Sequence, residues 1–316
     1  MTPEIHAVDV ATNRSQWLAL RTKDITSTDV AALFGLSPYL SPFELWHRKR
    51  SVETAAVEET ERMRWGSRLE ASIAQGAADE HGWTIEPFKS YVRLPDVRMG
   101  SSFDFRLTSP SPAILEVKNV DSGVYARNWV DTEDQVEAPP HIELQVQHQL
   151  EVAQMEEAYL VALVGGNTLK VVHRRRDREV GNAIRTKVAQ FWASIDADTP
   201  PPPNYEQDAT YIAKVLRRYA NEGEVVQADI AVDQLLDRYR AASAAIAKAE
   251  EQRDAIKAEV LMRVGTASKV VGLAGTLSCG EVKDSPGKLI TPDMVGTYYG
   301  ARRGYRSFRF TSRKEK

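Results

Sequence analysis

The sequence holds one cysteine, Cys279, in 316 residues. A single thiol excludes an internal disulfide framework and any cysteine-cluster metal or iron–sulfur site within the chain. No apolar run approaches the ~18 residues that cross a bilayer. The opening, Met1-Thr-Pro-Glu-Ile-His6, has neither a basic flank nor an apolar core. No secretion signal and no membrane partner are therefore expected, and a cytoplasmic location is. Net charge is only −3, with a pI near 6.1. No global basic field advertises nucleic-acid binding, so any such binding must rest on local patches. Internal repeats are also absent. What remains is an ordinary soluble composition, 42% hydrophobic and 27% charged, long enough for one large domain and an appendage.

The most informative stretch runs from Gly100-Ser-Ser-Phe-Asp-Phe-Arg-Leu107 to Ala113-Ile-Leu-Glu-Val-Lys-Asn119. It reads as two strands joined by the turn Ser109-Pro-Ser-Pro112. Alternation puts Glu116 and Lys118 on one face and Leu115 and Val117 on the other, with Asp104 on the preceding strand able to lie opposite. Two acids and a lysine on one patch suit a divalent cation and an adjacent water. An exposed strand face with an ordinary Glu/Lys pair has the same pattern.

Upstream, two helical pieces span 12–34. Arg21 precedes Ile25-Thr-Ser-Thr-Asp29, where Ser27 or Thr28 suits an N-cap for Val30–Phe34, with Gly35 ending the helix. The same hydroxyls (Thr26, Ser27, Thr28) beside Arg21 make an anion pocket. A helix from Trp65 to about Glu80 buries Trp65, Leu69 and Ile73 at i, i+4, i+8 and carries Glu70 beside that stripe. Gly66 suggests close packing on a sheet. A strand or two follow over 83–92.

These words in this order, with Pro42-Phe-Glu-Leu-Trp46, Trp65-Gly-Ser-Arg-Leu-Glu70 and Leu144-Gln-Val-Gln-His148, resemble the YqaJ-like viral recombinases. That branch of the PD-(D/E)xK nuclease superfamily is related to the phage lambda exonuclease. The resemblance covers roughly 14–190. Phe103 stands where the superfamily's proline precedes the acid. The resemblance implies an α/β (α+β) restriction-endonuclease-like core, a mixed central sheet flanked by helices. It implies Asp104, Glu116 and the Val117 carbonyl as ligands of Mg²⁺, for which Mn²⁺ substitutes, and Glu70 as the acid for a second ion or its waters. Lys118 would orient the attacking water, Gln145 would be the active-site glutamine, and Arg21 with Thr28 and Ser27 would hold a 5′-phosphate. The implied activity is 5′→3′ exonuclease action on linear double-stranded DNA in phage-type recombination by single-strand annealing. Implied partners are double-stranded DNA ends, an annealing protein and a homo-oligomeric ring, in a bacterial host or phage-encoded. An endonuclease of the same fold, or a non-catalytic DNA-binding scaffold, are the alternatives.

Residues 119–140 read as a loop in which Trp129 either stacks on DNA or packs in the core. A helix follows from His141 to Met155, with His148 a hydrogen-bonded partner of the site rather than a ligand. The hairpin 158–173 turns at Gly165-Gly-Asn167 and runs into Arg174, Arg175, Arg176 and Arg178, a solvated charge run or a backbone contact to DNA. The helix 180–195 completes a nuclease domain over 1–197. A proline-rich linker and short helix (198–228) lead to 229–316. There, a long helix with apolar residues at 3/4 spacing suits a helical hairpin or coiled-coil seam. A β-hairpin over 268–282 follows, to which 306–310 adds a strand. Residues 301–316 hold five Arg, two Lys and one Glu, a net +6.

Overall fold

The computed structural model describes residues 2–7, 13–50, 60–133, 135–217 and 227–284, and short strands at 288–289, 298–299, 305–306 and 309–312. Most of the charged connection 48–61 and of the basic tail 301–316 lies outside the described residues. Two compact units divide the chain, 1–220 and 221–316.

The first unit is built on a five-stranded mixed sheet. Its strands are β3 (Thr84–Pro87), β6 (Phe105–Ser109), β7 (Ala113–Val120), β10 (Glu157–Val164) and β11 (Thr168–Arg175), in spatial order β11-β10-β7-β6-β3. Only the β7–β10 pairing is parallel within it. Helix α4 (Glu61–His81) covers one face, seating Ile73, Ala74 and Ala77 on Leu115, Val117 and Val161. Helices α5 (Ser122–Asn128) and α6 (Pro140–Ala153) cover the other. There Tyr125, Trp129 and Ile142 pack on Val120, Leu160 and Val172. This is the expected mixed sheet flanked by helices.

The sequence did not announce a second, four-stranded sheet. It comprises β1 (Glu4–His6), β4 (Tyr91–Leu94), β5 (Met99–Ser101) and β2 (Ile25–Thr26), in order β1-β4-β5-β2. Its core joins α2 (Val30–Leu33), α3 (Pro42–Arg50), α6 and α7 (Arg178–Asp196). Helix α1 (Arg14–Lys23) leads into β2. The stretch expected as one strand from Gly100 to Leu107 is therefore two, β5 in one sheet and β6 in the other, with residues 102–104 crossing between them.

Several local expectations are corrected. Trp65 is 49% exposed, and the buried stripe of α4 is Ile73, Ala74, Ala77 and Ala78. A Cβ at Gly66 would meet nothing within 4 Å, so no backbone packs there. Residues 122–128 are helix α5 rather than loop, because the Asp121 carboxylate accepts from the N–H groups of Gly123 and Val124 and caps it. Helix α8 (Tyr205–Arg217), expected in the linker, packs on the first unit: buried Asp208 accepts from Ser41 Oγ. The second unit contains α9 (Ile230–Val264) and a sheet of β12 (Lys269–Gly272), β13 (Gly275–Ser278) and β18 (Arg309–Ser312). In it Leu277 pairs with Phe310, the added strand that was expected.

His148 is fully buried on α6, and its Nε2 donates to the Ile25 carbonyl at 3.1 Å, tying α6 to β2. Burial, opposed by that hydrogen bond, depresses its pKa to about 4. An unfolded histidine takes up its proton near pH 6.5, so between these values the unfolded chain binds more protons. The stabilisation is complete above pH 6.5 and is lost as pH falls toward 4, about 3 kcal/mol in all. Urea titrations at pH 7 and pH 4.5 should show a smaller loss in His148→Gln than in the wild type.

Candidate active site

Strand β7 is central, yet its β6 neighbour stays with it only from Ala113 to Leu115. Beyond Leu115 the ladder stops, because 102–104 swing away toward β5. The freed Val117 N–H is taken by the Asp104 carboxylate at 2.8 Å. A gap thus opens beside Glu116 and Lys118, and Glu70, on α4 over the other face of the sheet, feels the charge of both. Glu116 is 2% exposed, which removes the reading of an exposed strand pair. Its Oε1 accepts from Lys118 Nζ and from Gln145 Nε2 at 2.5 Å, and its Oε2 accepts from Gln149 Nε2 at 2.6 Å.

The charges interact strongly. Burial, then Glu116 and Glu70, push the Asp104 carboxyl well above the usual range, against Lys118 and the Val117 N–H. Burial and then Glu116 raise Glu70 as well, against Lys118. For Lys118, burial opposes the charge, but Glu116 and Asp104 outweigh it and hold the ammonium above its ordinary pKa. Three carboxyl groups thus face one cation, and protonation is favoured wherever the lysine does not reach. Among the described residues, no three acidic, His or Cys side chains already stand as a metal cage. Lys118 and the two amides occupy the oxygens of Glu116. A surplus of hard oxygen donors over positive charge nonetheless fits a hard divalent cation.

Arg21 is joined to the crossover before β6 through an indole. Its Nη2 donates to Thr28 Oγ1 at 3.0 Å and Thr26 Oγ1 at 3.4 Å. The guanidinium lies 4.5 Å over the Trp17 ring, whose Nε1 donates to Ser102 Oγ at 2.7 Å. Ser102 belongs to the same crossover as Asp104, so one indole connects the arginine pocket to the carboxylates. Neither Ser27 nor Thr28 is the cap of α2. Asp29 stands in that position, and its carboxylate accepts from the Thr26 N–H at 3.1 Å and pairs with Lys49 at 2.8 Å. Burial would raise Asp29, but Lys49 and Arg21 bring it to about 2. Thr28 is exposed and Ser27 is buried at 4%, so the open hydroxyl next to Arg21 is that of Thr28.

A cavity of about 360 Å³ adjoins the cluster, lined among others by Thr28, Tyr39, Arg62, Lys118, His141 and Gln145. The other residues expected to meet DNA have protein partners. Trp129 is 7% exposed and stacked on Tyr125 at 5.0 Å between centroids, so most of its ring packs in the core while the rest joins the lining of this cavity. Arg174 is spent on Glu143, at 2.8 Å to each oxygen, and on the Val136 carbonyl. Arg175 is exposed beside Glu157, and strand alternation puts it on the sheet face opposite Glu116. Neither arginine joins the cleft.

Gln149 was not singled out from the sequence, although it lies one helical turn after Gln145, the spacing that stacks two side chains on one helix face. Together the two amides hold both oxygens of Glu116. Gln149→Met keeps the side chain's bulk and removes the donor. Should Glu116 ligate a divalent cation, this substitution would weaken its binding about 10-fold or more, as loss of a partner behind a ligand does. Calorimetric titration of the folded variant checks this.

Residues 16–156 match the family model described as the YqaJ-like viral recombinase domain. The uncharacterised protein YqaJ of Bacillus subtilis (strain 168) is 30% identical over 191 residues, 60% of this chain. The chain spans 58% of that relative's length. Among solved structures, an alkaline exonuclease (LHK-Exo) from Laribacter hongkongensis aligns with a TM-score of 0.49 and 18% identity, over 65% of this chain and 99% of that one. A phage-related exonuclease from Haemophilus somnus 129PT aligns with a TM-score of 0.41 and 10% identity, over 55% and 96%. Residues 16–156 are thus similar to the YqaJ-like viral recombinase domain.

Proposed function

We propose that the chain is a Mg²⁺-dependent deoxyribonuclease, a 5′→3′ exonuclease on linear double-stranded DNA, serving recombination by strand annealing. The observation that carries this reading is the meeting of Glu70, Asp104, Glu116 and Lys118 at the gap beside β7, one indole from Arg21 and Thr28. Asp104, Glu116 and the Val117 carbonyl would hold Mg²⁺ or Mn²⁺, with Glu70 serving a second ion or its waters. The metal would supply a hydroxide-like nucleophile and neutralise charge on the phosphate.

The chain's own groups do the rest. Lys118, kept protonated, is a donor rather than a base, and it orients water and the attacked phosphoryl oxygen. Gln145 and Gln149 keep Glu116 in place when Lys118 exchanges its carboxylate for substrate. Arg21 and Thr28 offer charge-assisted donors to a terminal 5′-phosphate, which favours end-directed cleavage over the endonuclease reading. Closure into a ring would supply processivity, and an annealing protein would take the strand left behind.

Linear duplexes labelled at either end, with or without 5′-phosphate, test the proposal. Digestion should require Mg²⁺, stop in EDTA and start from phosphorylated 5′ ends. Lys118→Ala should lower the rate by about 10²–10⁴-fold, and Glu116→Ala should abolish it, with folding retained. Full activity in either variant removes the site assignment. Arg21→Ala should cost about 10–100-fold on phosphorylated ends and little on hydroxyl ends. Indifference to the phosphate would point to the endonuclease.

A further inference from the structure

The first two turns of α4 stand out from the protein. Residues 60–65 are all exposed, and burial begins only toward Leu69 and Ile73, where α4 meets the sheet. This overhang reads Glu61-Arg-Met-Arg-Trp-Gly-Ser-Arg68. Trp65, the largest side chain on it, leaves half its surface open at 49%. The Arg68 guanidinium lies 5.1 Å from the centroid of its ring. Arg64 is held by Glu61, whereas Arg62 lines the cavity that also contains Lys118 and Gln145. The backbone end of the helix is not what is on offer, since Thr60 caps it by accepting from the Met63 N–H.

Exposing a tryptophan on a soluble surface forfeits a large burial gain. Packing does not explain it: the sheet is covered by Ile73, Ala74 and Ala77 of the same helix. An open indole braced by one arginine, with a second arginine reaching into the adjoining cavity, is a base-stacking platform beside phosphate ligands. The platform shares its helix with Glu70, and its Arg62 joins the lining of the cavity that holds Lys118 and Gln145.

We propose that the Arg62–Trp65–Arg68 surface holds an unpaired nucleotide at the mouth of the cleft. Trp65 stacks on the base, and Arg62 and Arg68 take the flanking phosphates. Stacking reads no sequence, because every base presents a π-face. The inference rests on the nuclease reading for the identity of the strand but concerns binding rather than hydrolysis.

The test is fluorescence anisotropy of the full chain carrying Glu116→Gln, with DNA ending in several unpaired nucleotides and with blunt duplex. Trp65→Ala should weaken binding to the unpaired end about tenfold and to the blunt duplex by less than twofold. Trp65→Phe should stay within about threefold of the parent on the unpaired end, a rescue that a folding defect would not show. Arg62→Ala with Arg68→Ala should lower the salt dependence of binding by about one unit of log–log slope. Unchanged binding by Trp65→Ala, or equal losses on both DNAs, overturns the platform. Normal Trp65-dependent binding by a wild-type chain that cleaves nothing would overturn the nuclease reading and leave this one standing.

Discussion

The structure depends on a buried carboxylate. Glu116 sits in a central strand with almost no solvent, where an unpaired charge would cost several kcal/mol. It is kept there by one ammonium and two amides, drawn from β7 itself and from α6 packed on the same face. Each partner lies on an element whose position is otherwise fixed by apolar packing, so the carboxylate is held by the core rather than by a loop. Asp104 and Glu70, their carboxyls pushed toward protonation, lack that protection and leave the cluster short of positive charge.

A second set of buried ion pairs keeps the crossover and the arginine pocket in register with that site. Asp24, without solvent exposure, takes Arg93 through two contacts at 2.6 and 2.7 Å and the Tyr91 hydroxyl at 3.3 Å. A Cβ at Gly100 would fall 2.3 Å from that hydroxyl and 2.7 Å from Asp24 Oδ2, so glycine is required where β5 passes the triad. Lys49 ties the carbonyls of Arg21 and Asp24 to the Asp29 carboxylate. On the other side of α6, Glu151 gathers Arg176 and Arg185. The basic run after β11 is thus partly structural. Arg174 and Arg176 are consumed by acids of α6, which a one-dimensional charge count cannot show.

The second unit follows a different logic. Helix α9 buries none of its residues and leaves Leu235, Leu236, Tyr239, Ile246 and Ile256 exposed. It has the 3/4 spacing of a seam, and the small sheet beyond it centres on the β13–β18 pairing.

Much of the site was legible in one dimension because its chemistry is carried by local periodicity. Alternation along 114–118 placed Glu116 and Lys118 on one face. The family words put Glu70, Asp104, Gln145 and the Arg21–Thr28 spacing in order. Where the sequence misled, a residue type had two uses and only packing chose between them. Trp65, expected in the buried stripe, is half exposed, and of the two uses open to Trp129 packing beside Tyr125 took most of the ring. Arg174 met an acid before it could meet a phosphate. The break of one apparent strand into β5 and β6 had no local signal, since both halves are extended. Residue order alone determined on which face of β7 Glu116 and Lys118 stand. Only the tertiary structure decided that β6 parts from β7 after Leu115, because that departure is driven by pairing with a distant sheet, and it opens the gap where the charges meet.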